Sequence, residues 1–353
     1  MSKRHLSGSC HGKANRIIEP SVPLTRFFQK TIRGDCVAKG VGMRNRGFGT
    51  INISGSVPAG STIRKAFLYW AVLRLNWQIV NADGMLNGVK IIGEAIASPI
   101  SQPCWNADVA DVFRADVTGI ATDGINILTG FPSGDTDSSS PFIQETLPLL
   151  EGASLVLVFE NPNLALKTVM IHDGGITFFN HTVSTTFSGF QVSESPEAKT
   201  FYIVADGQAI FNGDQALFNN VVVAGPTAAI RPTDAFNGQD GIDAGIDTAT
   251  GLWDTLEIDV STLLNPGDIS ATTSVVASNI RGDCLMYIAQ VFCVTVPSCP
   301  LLGAVASMEQ ALADALREAV MDGNMEVLES MLKLVVKKEI LLELLIEEFC
   351  NES

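Results

Sequence analysis

Residues 152–175 read GASLVLVFENPNLALKTVMIHDGG, and the fold is decided here. Leu155 to Phe159 form an apolar strand, Asn161-Pro162-Asn163 a tight corner, and Thr168 to His172 a second strand closed by Asp173-Gly174-Gly175. A run of five apolar residues without polar alternation predicts burial on both faces, or a central place in a sheet. A second run of this kind, CLMYIAQVFCVTV, occupies residues 284–296. We place the junction of two similar β-sandwich domains at the first of these runs.

Upstream of the junction, Gly40 to Met43 opens the first domain and residues 50–54 (TINIS) alternate as a strand should. Residues 63–73, IRKAFLYWAVL, make a strong aromatic-rich strand. Asn87-Gly88 between two short apolar runs is a type I′ hairpin signal. Strands follow at 112–118 and 125–128, and FPSGDTDSSS (131–140) reads as a surface loop. Downstream, the spacing predicts strands at 176–179, 183–190, 199–205, 221–224, 252–260, 270–277 and 285–296. The segment ADVFRADVTGIATDGINILTGF (110–131) aligns with LWDTLEIDVSTLLNPGDISATTSV (252–275), and each precedes one long apolar strand. That order points to an internal duplication. Short strands punctuated by turns predict a mainly β chain with two tandem antiparallel, jelly-roll-like β-sandwich domains and a C-terminal helical hairpin. The expected divisions are a flexible basic arm over 1–30, sandwiches over 31–165 and 166–297, and a linker with amphipathic hairpin over 298–353.

The stretch IRKAFLYWAVL, the Asn-Gly hairpin, ADVTG, GASLVLVFENP and KTVMIHDGG together resemble the β-sandwich modules of large bacterial cell-surface and spore-surface, adhesin-like proteins. The resemblance covers roughly residues 35–297 and implies a fold and a location more than an activity. It implies a structural protein at the bacterial surface or in outer spore layers, with surface glycans or other surface proteins as partners. Export normally needs a leader, and MSKRHLSGSCHGKANR has no apolar core of a signal peptide. A spore-surface component deposited from inside the mother cell fits that departure, with a cytoplasmic location as the alternative.

The chain has 353 residues, 46% hydrophobic and 17% charged, with a formal charge of −15. An acidic chain repels a nucleic-acid backbone, and the basic residues of the first thirty (Lys3, Arg4, Lys13, Arg16, Arg26, Lys30) are too few to argue for one. After Pro297-Ser-Cys-Pro300 the apolar period becomes helical. Leu328, Leu332, Val335, Leu342, Leu345 and Phe349 form a stripe that must either dock on a β-domain or meet copies from other chains, and its heptad-like spacing favours self-association into a homo-oligomer. Lys333, Lys337, Lys338, Glu339 and Glu343 interrupt it, so no transmembrane segment is expected.

Of the seven cysteines, Cys10, Cys299 and Cys350 sit in polar or terminal segments suited to cross-linking neighbouring chains, and Cys293 reads as a buried thiol. Ile-Arg-Gly-Asp-Cys occurs at 32–36 and 280–284, where a turn leads into a strand, and Cys36–Cys284 is a possible disulfide. Asp240, Asp243 and Asp247 in NGQDGIDAGID are calcium candidates, because that ion takes carboxylate oxygens on a flexible turn. Trp77 and Trp105, in loop-like contexts, are the ligand-facing candidates for a carbohydrate- or calcium-dependent binding module, while Trp70 and Trp253 belong to cores. His172-Asp173 with Ser184 and Ser188 lacks any nucleophile context. No enzyme is expected.

Overall fold

The computed structural model describes residues 16–140, 146–240, 251–278 and 283–297, together with Leu312 and Lys333. Among these, seventeen strands follow one another. The first half holds β1 (Arg16–Gly42), β2 (Gly49–Asn52), β3 (Thr62–Arg74), β4 (Asp83–Leu86), β5 (Val89–Ile92), β6 (Glu94–Ser101), β7 (Val109–Asp116), β8 (Ile125–Thr129) and β9 (Leu149–Glu160). The second holds β10 (Leu166–Phe179), β11 (Thr182–Ser188), β12 (Ala198–Ala205), β13 (Gln215–Phe218), β14 (Val221–Ala224), β15 (Trp253–Asp259), β16 (Ser270–Val276) and β17 (Leu285–Thr295).

They form a nine-stranded sheet, β15-β12-β17-β10-β1-β9-β3-β7-β6, and two four-stranded sheets, β11-β16-β13-β14 and β2-β8-β4-β5. β1 joins the two halves of the large sheet. It pairs with β10 from Arg16 to Arg33 and with β9 from Gly34 to Gly42. The order β1-β9-β3-β7 is then repeated by β10-β17-β12-β15, and β2-β8-β4-β5 by β11-β16-β13-β14. Each half is thus a two-sheet sandwich of eight strands, with the first part of β1 and the whole of β6 as additions. The aligned sequence segments fall on equivalent strands, β7–β8 in one half and β15–β16 in the other.

Side chains alternate between the faces of a strand, and here both faces of the inner strands meet a core. Phe67, Tyr69, Ala71 and Leu73 of β3 enter one cluster, and Leu68, Trp70 and Val72 enter another. On β12, Phe201 and Ile203 join the first cluster while Tyr202 and Val204 join a third. The molecule is therefore four layers deep, the nine-stranded sheet supplying the two inner ones. A central core lies between the two inner parts of the large sheet, and one outer core lies under each four-stranded sheet. This is why residues 155–159 and 285–295 are apolar without alternation: β9 and β17 are buried along nearly their whole length.

Two expectations are corrected. The halves are not separate tandem sandwiches, because β1 runs through both and the central core is built from both. The C-terminal helical hairpin is not seen: the elements formed by the described residues are strands and one 3-10 turn at Ser261–Leu263, with helical backbone only at the single positions Leu312 and Lys333 and at Gln239–Asp240. Leu328, Leu332, Val335, Leu342, Leu345 and Phe349 lie outside those residues. Residues 16–30, expected within a flexible arm, form the first part of β1. The ladder shifts register between Ile18 and Val22 and again between Val22 and Thr25, around Pro20 and Pro23. A proline gives the ladder no N–H, so the segment looks coil-like in sequence, yet Ile18 and Leu24 are buried.

Candidate functional site

The polar groups of the interior gather where the two halves meet. Cys36 on β1 is bonded to Cys293 on β17, and Cys104 to Cys284 just before β17. Both bridges join the first half to the last described strand. Cys293 is therefore no free thiol, and Cys284 takes Cys104 in place of the expected Cys36. In both Asp-Cys pairs the aspartate accepts from the N–H of the following cysteine at 2.8 Å. Arg-Gly-Asp at 33–35 lies within β1, where the strand exchanges one partner for the other. Cys10, Cys299 and Cys350 lie outside the described residues.

Beside the Cys104–Cys284 bridge stands a set of buried aspartates. Asp206 follows β12, Asp214 precedes β13, Asp234 lies in the loop after β14, Asp254 is on β15 and Asp283 precedes β17; all are essentially without exposure. Backbone N–H groups fix most of them. Asp214 Oδ1 accepts from Ser278 at 2.6 Å, and Asp234 Oδ1 from Asp214 at 3.0 Å. Asp254 accepts from Gly238 at 2.8 Å and Gln239 at 3.0 Å. Its charge is matched by Arg231, which also donates to the Ala235 carbonyl. The loops come so close that a Cβ on Gly251 would stand 1.8 Å from the Gly238 carbonyl oxygen, which requires glycine there.

The first half contributes to the same region. Trp105, a ligand-facing candidate, is buried at 1% exposure and donates its indole N–H to Asp206. Arg44 lies over its ring at 4.5 Å and pairs with the buried Glu151 of β9. Trp77, the other candidate, is 74% exposed. Asp240, of the calcium candidates, is buried and accepts from Thr255 Oγ1 at 2.6 Å, in a chain that continues through Ser154 to the Trp253 indole. Asp243 and Asp247 lie outside the described residues.

So many carboxyls in so little water resist ionisation. Burial pushes Asp214 up to about 7, with the Asp254 charge adding and the Ser278 N–H opposing. Burial and then the Asp214 and Asp254 charges push Asp234 up to about 9. Asp283 is held well above the carboxylate range by burial and by Asp214, Asp206 and Asp234. Glu151 is raised to about 7 by burial, against the pull of Arg44.

A second polar group lies further along the seam. Asp173 accepts from Tyr69 at 3.0 Å and from Arg114, whose other nitrogen reaches Glu94. His172, its neighbour on β10, faces away, bonded to Thr185 at 2.9 Å and against Phe187. Burial, and then Arg26, lower His172 to about 4. Strand alternation separates this His from this Asp. Ser184 is paired with Ser274 at 2.8 Å, so the four residues do not assemble as a hydrolase.

The aspartate cluster was not foreseen in the sequence. Its signal was an Asp beside a Gly at strand ends, Asp206-Gly207, Gly213-Asp214 and Gly282-Asp283, which is also the signature of ordinary turns.

No protein-family model and no curated protein matches this chain. Among solved structures, a β-porphyranase of glycoside hydrolase family 86 from the human gut bacterium Bacteroides plebeius is similar at 8% identity. The likeness covers 79% of this chain and 37% of that one at a TM-score of 0.24. The major capsid protein P2 from bacteriophage PM2 is similar at 10% identity, over 75% of this chain and 99% of that one, at a TM-score of 0.23. Likenesses this slight carry no functional argument. The chain spans about a third of the length of the first of these proteins. No helix among the described residues is long and apolar enough to cross a membrane.

Proposed function

We propose that this chain is a structural component of a bacterial or spore surface layer, a duplicated jelly roll that displays its outer sheets and associates with copies of itself. The observation that carries this reading is the pair of buried disulfides tying both halves to β17 across a filled core. Disulfides persist in oxidising surroundings such as cell and virion surfaces, and a doubly stapled core suits a protein that must outlast exposure. The outer face of the β2-β8-β4-β5 sheet supports association, since Met85, Ile92, Ile125 and Ile127 are exposed on it. Exposed apolar side chains grouped on one sheet face suit a contact site, and a second copy is the occupant this reading assigns.

Light scattering of the full chain across a concentration series tests association, with Ile125→Lys and Ile127→Lys as the disrupting pair. A single monomeric mass at every concentration would count against the proposal. Peptide mapping without reductant tests the bridges, and free thiols at Cys36, Cys104, Cys284 and Cys293 in protein recovered from its native setting would remove the surface location.

A further inference from the structure

Cys104, Asp206 and Cys284 come from three places in the chain: the loop after β6, the end of β12 and the entry to β17. All three are buried, and the two sulfurs and a carboxylate oxygen lie within 4.8 Å of one another. Each donor is held by its surroundings. The Cys104 N–H donates to Gln102 Oε1 at 3.2 Å, and the Cys104 carbonyl accepts from Ala107 at 3.1 Å. The Cys284 N–H donates to Asp283 at 2.8 Å, and the Trp105 indole N–H orients the Asp206 carboxyl. Gln102 Oε1 stands 3.5 Å from Cys284 Sγ, so a further oxygen faces the same centre. Two sulfurs with carboxylate oxygen suit zinc, which takes four donors in a tetrahedron. The cysteine Cα atoms are 6.9 Å apart, a span that accommodates thiolates about 3.8 Å apart across an ion with Zn–S bonds of about 2.3 Å. In the oxidised chain these sulfurs are bonded to each other, and zinc takes thiolates, so bridge and ion are alternatives. A second trio of this kind, Asp35, Cys36 and Cys293, is the poorer one. Asp35 is already paired with Lys167 and Lys199 at 3.1 and 3.2 Å, and two ammonium groups repel a cation.

We propose that Cys104, Asp206 and Cys284 form a zinc site in the reduced chain, with Gln102 Oε1 in the fourth position, and that closure of the bridge expels the ion. On binding, zinc displaces the proton of each thiol. A small-molecule disulfide then serves as oxidant and takes two electrons from the two thiolates. The Cys104–Cys284 S–S bond forms and both Zn–S bonds break. The oxidant's own S–S bond breaks to two thiols, which take their protons from water. Until then the ion holds the loop after β6 against the entry to β17, so the two cysteines wait in register for each other. The inference rests on the donor geometry and is independent of the surface reading above.

Cobalt(II) is the probe, because it takes the place of zinc and its thiolate complexes are coloured. The full chain is produced in a reducing bacterial cytosol with cobalt in the medium and purified without oxidant. It carries Cys10→Ser, Cys299→Ser and Cys350→Ser, so that only the four bridge cysteines remain. One cobalt per chain should be retained, with thiolate-to-metal charge-transfer bands and the d–d bands of a tetrahedral ion. Under a disulfide oxidant the bands should fade in step with the appearance of the Cys104–Cys284 bridge in peptide maps. Replacing Cys36 and Cys293 by serine should leave the bands in place, whereas Cys104→Ser with Cys284→Ser should abolish them. Groups that merely orient a ligand are worth about tenfold in metal affinity, so Asp206→Asn, which keeps both thiols, should lose at least that much in competition with a chelator. A reduced chain without cobalt would overturn the proposal, as would bands that survive in the Cys104 and Cys284 variant. So would parental affinity in Asp206→Asn, or bands that persist once the bridge has closed.

Discussion

The buried carboxyls make a quantitative prediction about pH. Asp234 is held at about 9 in the folded chain, against about 3.9 for an unfolded aspartate. A carboxyl raised in this way keeps its proton in the fold while the unfolded chain has lost it. The associated stability is complete below about pH 4 and drains away as pH rises to the folded value. Each unit costs about 1.4 kcal/mol per proton. Asp214 and Glu151, both at about 7, act in the same direction but are largely spent near neutrality. His172, lowered to about 4, acts oppositely, adding stability up to about pH 6.5. In the window of about pH 6.5 to 9 Asp234 removes on the order of 3 kcal/mol, and Asp283, also held well above the carboxylate range, acts in the same direction. Urea melts should show the midpoint falling through this window, with Asp234→Asn lessening the fall while Asp283 continues to contribute. A parent midpoint that holds level or rises from about pH 6.5 to 9 would refute the reasoning, since Asp214, Glu151 and Asp283 act in the same direction as Asp234.

Other expectations follow from single contacts. Replacing Cys36 and Cys293 together by alanine opens a cross-link of sequence separation 257 and should cost up to about 5 kcal/mol, read by chemical denaturation; a change below about 1 kcal/mol would show the bridge to be redundant. Thiol reagent added with reductant to the native protein should find no cysteine of either bridge until denaturant is added, since all four are buried. Gly251→Ala should lower the melting temperature sharply because its Cβ meets the Gly238 carbonyl. Tyr69→Phe should cost about 1–2 kcal/mol through one lost hydrogen bond, Asp173 retaining Arg114. Trp77→Ala should leave stability within about 0.5 kcal/mol, and a larger loss would mean its side chain packs against something.

Much of the architecture was legible because it rests on local rules. The Asn87-Gly88 hairpin is present with both residues at positive φ, 52° and 78°. The apolar runs of β9 and β17 announced burial on two faces, and the order shared by residues 110–131 and 252–275 marked equivalent strands. What escaped is set by distance along the chain. β1 was hidden by two prolines that interrupt its ladder, and its partner begins at Leu166. The sulfur pairing depends on which strands face each other across the central core, which no spacing of cysteines encodes. Asp206, Asp214, Asp234, Asp254 and Asp283 are spread over nearly eighty residues, and each alone looks like a turn. Trp105 sat in a loop context and still became core, because a loop at the seam of two sandwiches has an inside on both sides.

The long first strand also sets a schedule. A ribosome delivers Cys36 and Cys104 well before Cys284 and Cys293 exist, and the thiols in early reach are each other and Cys10. Until residue 179 emerges, the leading part of β1 has no ladder to join and must wait with its apolar side chains uncovered. Such a polypeptide cannot complete its central core domain by domain from its N-terminus, because β10 and β17 finish the sheet that β1 begins, and a helper that shields the nascent strand or reshuffles a premature bridge would aid its maturation.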